Sequence, residues 1–489
     1  MSPDRVPVLI LLVCVSTHVF TVQSGVGVNW GTTASHPLPP PIVVDLLKSN
    51  GIDKVRIFDA DPPVLQALSG SNIKVTLGIP DLMLQALNMS VKAAESWIHD
   101  NVTRYVNGGV HILYIAVGEN PFLQDYGEQF HTFVVGAATN IQIALSKAKL
   151  ASEIKVVVPC SFDAFSSKSG LPSRGLFRSD INTTMVHLLS FLSRYHAPFL
   201  VDVSPFQSII QNKNLSLDLA LFKESARPLN DSHRIYKNIF DITYDVLVAA
   251  LTAAGSPRID IVIGMIGWPT DGSTYANSSV AETFMKGLME HLRSKKGTPL
   301  RTGNPPVETF ILSLLDEDQG SIASGDFERH WGVFTFDGLA KYQVDLGQGS
   351  RNLVNAQNVD YMPSKWCVVN NNKDLCNASL SAENACASAD CTALSPGGSC
   401  SNISWPANVS YAFNSFFQKH DQLADSCDFG GLGLITTVDP SLDDCRFYIE
   451  IQTSRAASLA MSGLFDWMIL LTITISAFFS SNLHGSRQY

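Results

Sequence analysis

The chain contains few charged residues and no cluster of basic ones. Asp, Glu, Lys and Arg make up 16% of its 489 residues, and the formal net charge is −10. Proteins that bind nucleic acids carry a patch or stripe of Lys and Arg that neutralises phosphates. No such run is present in this sequence. We therefore predict that nucleic acid is not a partner.

Signatures of nucleotide and metal binding are also missing. No Gly-x-Gly-x-x-Gly sequence follows the first predicted strand, which removes support for a dinucleotide-binding sheet. The Cys and His spacings typical of zinc sites are absent. His330 has no second imidazole near it in the sequence, so a metal role is not expected for it. The sequence predicts neither a cofactor nor a metal.

Cysteine is scarce until the last quarter of the chain. Only Cys14 and Cys160 precede Cys367, whereas seven cysteines lie between Cys367 and Cys445. A high cysteine density in a small secreted segment predicts a domain stabilised by disulfides. We therefore place a small disulfide-rich α+β domain at residues 364–450. A linker rich in Gly, Asn and Gln is predicted before it, at residues 347–363.

Between residues 25 and 346, apolar strand-like segments alternate with helical patterns. The predicted strands are Val26–Trp30, Lys54–Phe58, Lys74–Ile79, Ile112–Val117, Ile154–Pro159, Pro198–Val203, Ile259–Ile263 and Thr309–Leu315. The predicted helices are Pro41–Ser49, Ala93–Tyr105, Phe130–Ala148, Asn182–Tyr195, Ile235–Ala254 and Ser279–Arg293. Repeated alternation of this kind predicts an α/β fold, a (β/α)8 TIM barrel. A doubly wound open sheet is the alternative.

The first residues of the chain predict secretion. Arg5 precedes the apolar run Val6–Val15, and Val22-Gln23-Ser24 offers small or apolar residues before a cleavage site, so residues 1–24 read as a signal peptide. Glycosylation acceptors of the Asn-x-Ser/Thr type agree with a secretory route. These acceptors are Asn88, Asn101, Asn182, Asn214, Asn230, Asn277, Asn377, Asn402 and Asn408.

Several motifs of residues 25–346 resemble those of one enzyme family. The matching segments are Val26–Gly31, Val55–Asp59, Gly78–Pro80, Leu314–Asp318 and Glu328–Gly332. They resemble the plant endo-1,3-β-glucanases of glycoside hydrolase family 17. The resemblance implies a barrel whose cleft binds β-1,3-glucan and cleaves it by a retaining mechanism, with one Glu as general acid and another as nucleophile.

Both catalytic positions of that family are altered in this sequence. The family motif Val-Gly-Asn-Glu-Pro, which carries the acid, is replaced by Val-Gly-Glu119-Asn120-Pro, so Asn120 stands at the acid position. Because side chains alternate along a strand, Glu119 is expected to point away from the cleft unless a bulge returns it. In the motif Gly-Glu-x-Gly-Trp-Pro, Met265 replaces the nucleophile. A thioether cannot form the ester-linked intermediate of a retaining glycosidase.

Other cleft positions match the family only in part. Glu317 and Glu328 correspond to auxiliary cleft carboxylates, although a salt bridge or a helix-terminus contact would explain them equally well. Asp202 and Ser204 stand where the family has Asn and a sugar-facing Tyr. Aromatic residues near strand ends can stack on sugars, but they pack into the core at least as often. The candidates for sugar stacking are Trp30, Phe122, Trp268 and Trp331.

The cysteine-rich domain resembles a second family. Its segments Trp366–Val368, Pro396–Cys400, Tyr411–Asn414 and Cys427–Gly431 are similar to the plant carbohydrate-binding module of family 43, which binds β-1,3-glucan. The resemblance implies the disulfides Cys367–Cys427, Cys386–Cys391 and Cys400–Cys445, and it leaves Cys376 over. Tyr411 and Phe413 have the spacing of a β-strand, so we expect both on one face, either as a sugar platform or in the domain core.

The last residues of the chain, 451–489, carry a second targeting pattern. Small residues at Ala456-Ala457-Ser458 precede a spacer and the uncharged apolar tail Met468–Phe479. This order matches a glycosylphosphatidylinositol (GPI) anchor signal, with attachment at Ala456. A transmembrane helix is the alternative, but the tail is shorter than the ~20 residues that span a bilayer. We expect a monomer anchored by lipid at the outer face of the plasma membrane, next to the cell wall.

Two functions remain open from the sequence. The first is a cell-surface protein that binds β-1,3-glucan (callose) and whose hydrolase activity is lost or very weak, a pseudoenzyme. The second is a working retaining glucan endo-1,3-β-glucosidase that uses Glu119 with a substitute base such as Glu317 or Asp271. Fold resemblance does not decide between them, because function depends on the residues of the site.

The anchor pattern makes a direct prediction. Treatment of membranes with a phosphatidylinositol-specific phospholipase is expected to move the protein into the soluble fraction, because the lipid alone would hold it. An Ala456→Val, Ala457→Val, Ser458→Val variant, which lacks the small residues, should not be anchored. A wild-type protein that stays in the membrane after phospholipase treatment would show that the tail spans the bilayer.

Overall fold

The computed structural model describes residues 25–225, 227–349 and 351–453. The predicted signal peptide and the predicted anchor site at Ala456 lie outside the described residues. Within the described residues, no helix is both long and apolar enough to cross a membrane.

Nine parallel strands form one sheet in the first part of the chain. They are β1 (Gly25–Asn29), β2 (Lys54–Ile57), β3 (Lys74–Ile79), β4 (His111–Val117), β5 (Lys155–Val157), β6 (Pro159–Cys160), β7 (Phe199–Asp202), β8 (Ile261–Ile266) and β9 (Glu308–Ile311). Their hydrogen-bonded order is β5-β4-β3-β2-β1-β9-β8-β7-β6. Only Val158 separates β5 from β6, so the two ends of the sheet are halves of one interrupted strand. The ring closes there, and the predicted (β/α)8 barrel is confirmed.

The strands are buried on both faces because helices cover the outside of the barrel and side chains fill its interior, which explains their nearly continuous apolar sequences. The helices are α1 (Pro40–Ser49), α2 (Pro62–Leu68), α3 (Leu84–Met89), α4 (Val91–Ile98), α5 (Arg104–Asn107), α6 (His131–Lys147), α7 (Asn182–Arg194), α8 (Pro205–Gln211), α9 (Leu217–Ala220), α10 (Ile239–Ala253) and α11 (Ser278–Ser294). A short π-helix at His99–Thr103 joins α4 to α5. The loops contain three short antiparallel strand pairs, namely Phe165–Ser166 with Leu176–Phe177, Leu229–Asp231 with Arg234–Tyr236, and Gly297–Thr298 with Arg301–Thr302.

The segment predicted to be a linker, residues 347–363, is packed against the barrel. Asn50, at the end of α1, donates to the carbonyl of Val354 at 2.9 Å and accepts from its amide at 2.8 Å. Leu353 is buried, and the Tyr361 hydroxyl donates to Asp337 at 2.8 Å. Polar composition predicted a linker, and the structure adds that the buried Asn50 satisfies part of the backbone of this segment and holds it against the barrel.

The cysteine-rich domain contains two strands and two helices. Strand β10 (Trp366–Val369) pairs antiparallel with β11 (Gly433–Thr436), and helices α12 (Ala378–Cys386) and α13 (Ala407–Lys419) pack beside them. The three implied disulfides are confirmed as Cys367–Cys427, Cys386–Cys391 and Cys400–Cys445. Cys376 is exposed and Cys160 is buried in the barrel, and neither forms a disulfide within the described residues.

The prediction that Tyr411 and Phe413 share a face is wrong. Both lie in helix α13, where residues two apart are separated by about 200° around the axis. Phe413 stacks on Phe429 in one apolar cluster, and Tyr411 contacts Phe447 edge-on in another. Both side chains are buried, so each belongs to the core of the domain and neither forms an exposed sugar platform.

The small domain is docked on loops that follow β8 and β9. Asp271 accepts hydrogen bonds from the amide and the hydroxyl of Ser399, at 2.7 and 2.5 Å. Arg329 forms an ion pair with Asp390 at 3.1 Å, and His330 Nε2 lies 2.6 Å from the hydroxyl of Thr392. These contacts fix the small domain against the end of the barrel at which the strands finish.

The disulfides are expected to stabilise the small domain more when they close longer loops, with an effect that grows as the logarithm of loop length. Cys367–Cys427 spans 60 residues and Cys386–Cys391 spans 5. Replacing the first pair by Ser should lower the free energy of unfolding by about 4 kcal/mol, and replacing the second by about 2 kcal/mol, because the longer loop restricts the unfolded chain more. Thermal unfolding of the two variants measures the difference. Cys376→Ser, which breaks no disulfide, is the control, and equal losses in the two variants would contradict the loop argument.

Candidate active site

Charged side chains gather where the barrel strands end. Arg56 lies in β2, Asp81 follows β3, Glu119 follows β4, Asp202 ends β7 and Glu317 follows β9. In (β/α)8 barrels the active site lies at this end because the loops after the strands converge there. The arrangement therefore marks the candidate cleft.

Asp81 determines how the chain turns after β4. Its two carboxylate oxygens accept hydrogen bonds from the amides of Glu119, at 2.9 Å, and Asn120, at 3.0 Å. The strand ends at Val117, and Gly118 has φ +88°, which side chains rarely tolerate. A Cβ at Gly118 would also lie 2.7 Å from the Asp81 carboxylate. The regular alternation of side chains therefore stops at Val117.

The Glu119 carboxylate lies within electrostatic range of the charges of the cleft, contrary to the expectation from strand alternation. It interacts electrostatically with Arg56, Asp202 and Glu317. The expectation failed because alternation holds only within a strand, and Glu119 lies in the turn that Asp81 holds. Asn120, at the acid position of the motif, is half-buried. The pair is thus transposed in sequence, while the carboxylate remains in the cleft.

The pKa of Glu119 is raised. The side chain is exposed, and desolvation by the residues around it is the largest cause of the shift. Arg56 opposes the shift, whereas Asp81 and Asp202 add to it by charge repulsion. A carboxyl group with a raised pKa keeps its proton to higher pH, which is the property of a general acid.

Met265 lies next to a buried ion pair. It occupies β8 opposite Asp202 of β7, after a register shift beyond Ile263. Asp202 accepts a hydrogen bond from Arg56 Nη1 at 3.1 Å, and both side chains are buried. Gly264 leaves room for this pair, because a Cβ there would lie 2.5 Å from Asp202 Oδ1. The carboxylate next to Met265 is therefore already engaged with Arg56.

Burial is the larger influence on Asp202. It raises the pKa of Asp202, and the charge of Arg56 reduces that rise. The second carboxylate oxygen, Oδ2, is buried and has no hydrogen-bond partner within the described residues. A buried acceptor without a donor is uncommon, and a hydroxyl group of a ligand would satisfy it.

Glu317 and Glu328 are both held by specific hydrogen bonds. Glu317 accepts from the amide of Thr33 at 2.8 Å and lies in the same electrostatic cluster as Glu119. Glu328 accepts from Trp331 Nε1 at 2.8 Å and from Gln207 Nε2 at 3.2 Å. Burial raises the pKa of both carboxyl groups. Neither forms the salt bridge considered as their alternative explanation within the described residues.

The aromatic side chains predicted to stack on sugars are all buried. Trp30 is 2% exposed, Phe122 and Trp268 are 0% exposed, and Trp331 is 6% exposed. Trp268 also donates its indole hydrogen to the carbonyl of Tyr275 at 2.9 Å. These side chains belong to the packing of the strand ends, so the prediction of sugar stacking is corrected to the core alternative.

Both parts of the chain match models of known protein families. A model of the glycosyl hydrolases family 17 matches residues 26–346. The chain belongs to glycosyl hydrolase family 17. A model of the X8 domain matches residues 365–434, so the small domain of this family 17 protein is called the X8 domain below.

Named relatives cover most of this family 17 chain. Glucan endo-1,3-beta-glucosidase 9 of Arabidopsis thaliana is 61% identical over 94% of this chain and 96% of its own length. Glucan endo-1,3-beta-glucosidase 5 of the same plant is 43% identical over 92% of this chain and 94% of its own. Among solved structures, CJP38, a beta-1,3-glucanase of Cryptomeria japonica pollen, is 34% identical with a TM-score of 0.62, and the match covers 66% of this chain and 99% of that one.

Three cleft residues of this family 17 barrel were not identified as candidates from the sequence. Arg56 lies within a predicted strand and Asp81 follows one. Their position near the ends of strands was the signal that could have identified them as cleft residues. Tyr126 lies in the loop after β4, is 39% exposed, and has a pKa raised by desolvation and by the charges of Asp81 and Glu119. It is an exposed aromatic side chain near Glu119. Within the described residues, no cluster of three or more metal-binding side chains is present.

The Arg56–Asp202 pair gives a stability prediction. Arg56→Ala should lower the free energy of unfolding by about 3–5 kcal/mol, because it leaves a buried carboxylate without its partner. The loss of unfolding free energy should increase from about pH 4 to about pH 7. In the unfolded chain Asp202 ionises above its ordinary pKa, whereas burial without Arg56 resists its ionisation in the folded variant, so rising pH favours the unfolded state of the variant.

Urea denaturation at the two pH values tests this prediction. The double variant Arg56→Met, Asp202→Asn should recover part of the loss and most of the pH dependence. Lys147→Ala removes an exposed ion pair with Glu95 and should cost less than about 1 kcal/mol. A pH-independent loss in Arg56→Ala would contradict the role assigned to Asp202.

Proposed function

We propose that the protein binds β-1,3-glucan at the cell surface and that its hydrolase activity is lost or very weak. Membership of family 17 and the presence of an X8 domain support a glucan ligand. The names of relatives that align over more than nine-tenths of this chain support a 1,3-β-linked substrate. The observation that carries the loss of activity is Met265 at the end of β8.

Met265 matters because the retaining mechanism needs a nucleophile at its position. A retaining glycosidase needs a carboxylate about 5–5.5 Å from its acid, so that it can attack the anomeric carbon and form a covalent ester. The thioether of Met265 carries no charge and cannot form that ester. Asp202 lies on the neighbouring strand, but its carboxylate is paired with Arg56 and buried. The cleft can therefore hold a sugar more readily than cleave it.

A second candidate function is an active glucan endo-1,3-β-glucosidase. The position of Glu119 in the cleft and its raised pKa favour this candidate, because they preserve a general acid. The substitute base would be Glu317, which shares the electrostatic cluster. Asp271, the other substitute considered, accepts two hydrogen bonds from Ser399 of the X8 domain and is thus already engaged.

The place of action is part of the proposal. The signal peptide, the glycosylation acceptors and the anchor pattern support a monomer held by a GPI lipid at the outer face of the plasma membrane. There the cleft and the X8 domain would meet β-1,3-glucan of the cell wall.

The proposal predicts the effect of restoring one carboxylate. The wild-type protein should release little or no reducing sugar from laminarin, whereas Met265→Glu alone should become measurably active, because the Glu119 carboxylate already lies within electrostatic range of the charges of the cleft. Activity of the variant should fall as the pH rises through the raised pKa of Glu119, since the acid must be protonated. Reducing-sugar assays over a pH series measure both effects.

Two matched variants control this experiment. Met265→Gln has nearly the same shape as Met265→Glu without the charge and should stay inactive. Glu119→Gln in the Met265→Glu background should lower the rate by roughly 10²–10⁴-fold. Wild-type hydrolysis equal to that of the Met265→Glu variant would overturn the proposed loss of activity and establish the second candidate. An inactive Met265→Glu variant would show that Glu119 does not serve as the acid.

A further inference from the structure

A large cavity lies between the barrel and the X8 domain, and its lining does not include the cleft residues Arg56, Asp81, Glu119, Asp202 and Glu317. Its volume is about 820 Å3. The barrel wall includes Thr270, Asp316, His330, Phe336 and Lys341, from the segments after β8 and β9. Lys341 donates to Asp316 at 2.7 Å and to Thr270 at 2.6 Å, so the charges of this wall satisfy one another.

The X8 side of the cavity is formed by helix α13, by the segments around Asp390 and Ser399, and by one further segment in which every second side chain enters the cavity. Asp444, Arg446 and Tyr448 line the cavity. Cys445 and Phe447, which alternate with them, are buried in the core of the domain. The alternation presents an acid, a base and an aromatic ring in one row, fixed from behind by the Cys400–Cys445 disulfide.

The side chains of this row are free to bind a ligand. Asp444 and Arg446 are exposed, and neither makes a hydrogen bond or an ion pair within the described part of the chain. Tyr448 is 47% exposed and contacts Phe336 of the barrel edge-on, with ring centroids 5.6 Å apart. One hydrogen-bond acceptor, several donors and an open aromatic face therefore project into the same space.

These groups fit a neutral molecule with many hydroxyl groups. A carboxylate accepts hydrogen bonds from hydroxyl groups, and a guanidinium group donates hydrogen bonds to them. An aromatic ring packs on the C–H face of a sugar. Charges of both signs line the cavity, including Asp316 and Lys341 on the barrel side, so a strongly anionic or cationic ligand would meet repulsion as well as attraction. The volume of the cavity lies within the range of small-molecule sites, roughly 300–1,000 Å3.

We infer that this cavity is a saccharide-binding site shared by the X8 domain and the barrel, with the row Asp444, Arg446 and Tyr448 as its main contacts. In naming β-1,3-glucan as the saccharide, the inference rests on the proposed function. A second source of the same chemistry is the protein itself, because the glycosylation acceptors Asn277 and Asn402 also line the cavity.

The experiment is calorimetric titration of the full-length protein with laminarihexaose. Arg446→Ala and Tyr448→Ala should each weaken binding by about tenfold, a loss typical of one sugar contact. Among the residues that the structure describes, Arg446 has no hydrogen-bond or ion-pair partner, so its removal should leave the thermal unfolding temperature unchanged. The matched control is Trp405→Ala, since Trp405 is 53% exposed on the same domain but does not line the cavity. Its affinity should equal that of the wild type.

The outcomes separate this inference from the proposed function. If wild-type protein binds and neither cavity variant weakens binding, or only Trp405→Ala does, the shared site is wrong while glucan binding stands. If wild-type protein fails to bind but an Asn277→Gln, Asn402→Gln variant binds, the site is a saccharide site that the attached glycan occupies. If no form binds, both the inference and the proposed glucan binding are overturned.

Discussion

The buried ion pair between Arg56 and Asp202 is the constraint on which the cleft depends. The two residues come from β2 and β7, and the pair is accommodated by the missing side chain of Gly264 in β8. Taking both charges out of water is costly, and neither can lose its partner without leaving a buried charge. The pair therefore holds positive and negative charge at the base of the cleft, and the pKa of Glu119 responds to both.

Much of the fold was predictable because its signals are strong in a single sequence. Apolar β-branched runs at regular spacing indicated the barrel, and all eight predicted strand positions contain a strand in the structure. The short helices α2 and α8 were not predicted, because seven residues are too few to show a helical period. Each of them has Pro in its first turn, where Pro is favoured.

The site was less predictable, because its geometry depends on contacts between distant segments. The direction of Glu119 follows from Asp81, 38 positions earlier, whose carboxylate holds the turn. The burial of Trp268 and the helical setting of Tyr411 follow from packing, which spacing alone did not show. By contrast, the disulfide pairs were implied by resemblance to a family and could not have been deduced from cysteine spacing.

The packed segment at residues 347–363 also holds the last residues that the structure describes. Ile451 bridges to Tyr361, and the amide of Gln452 donates to the carbonyl of Asp360 at 2.8 Å, so residues 451–453 lie on that segment. A lipid at Ala456 would follow residue 453 by three residues, a reach of at most about 10 Å. Such a short peptide connection would keep the protein at the bilayer surface in a restricted orientation. It would then meet only polysaccharide that lies against the membrane.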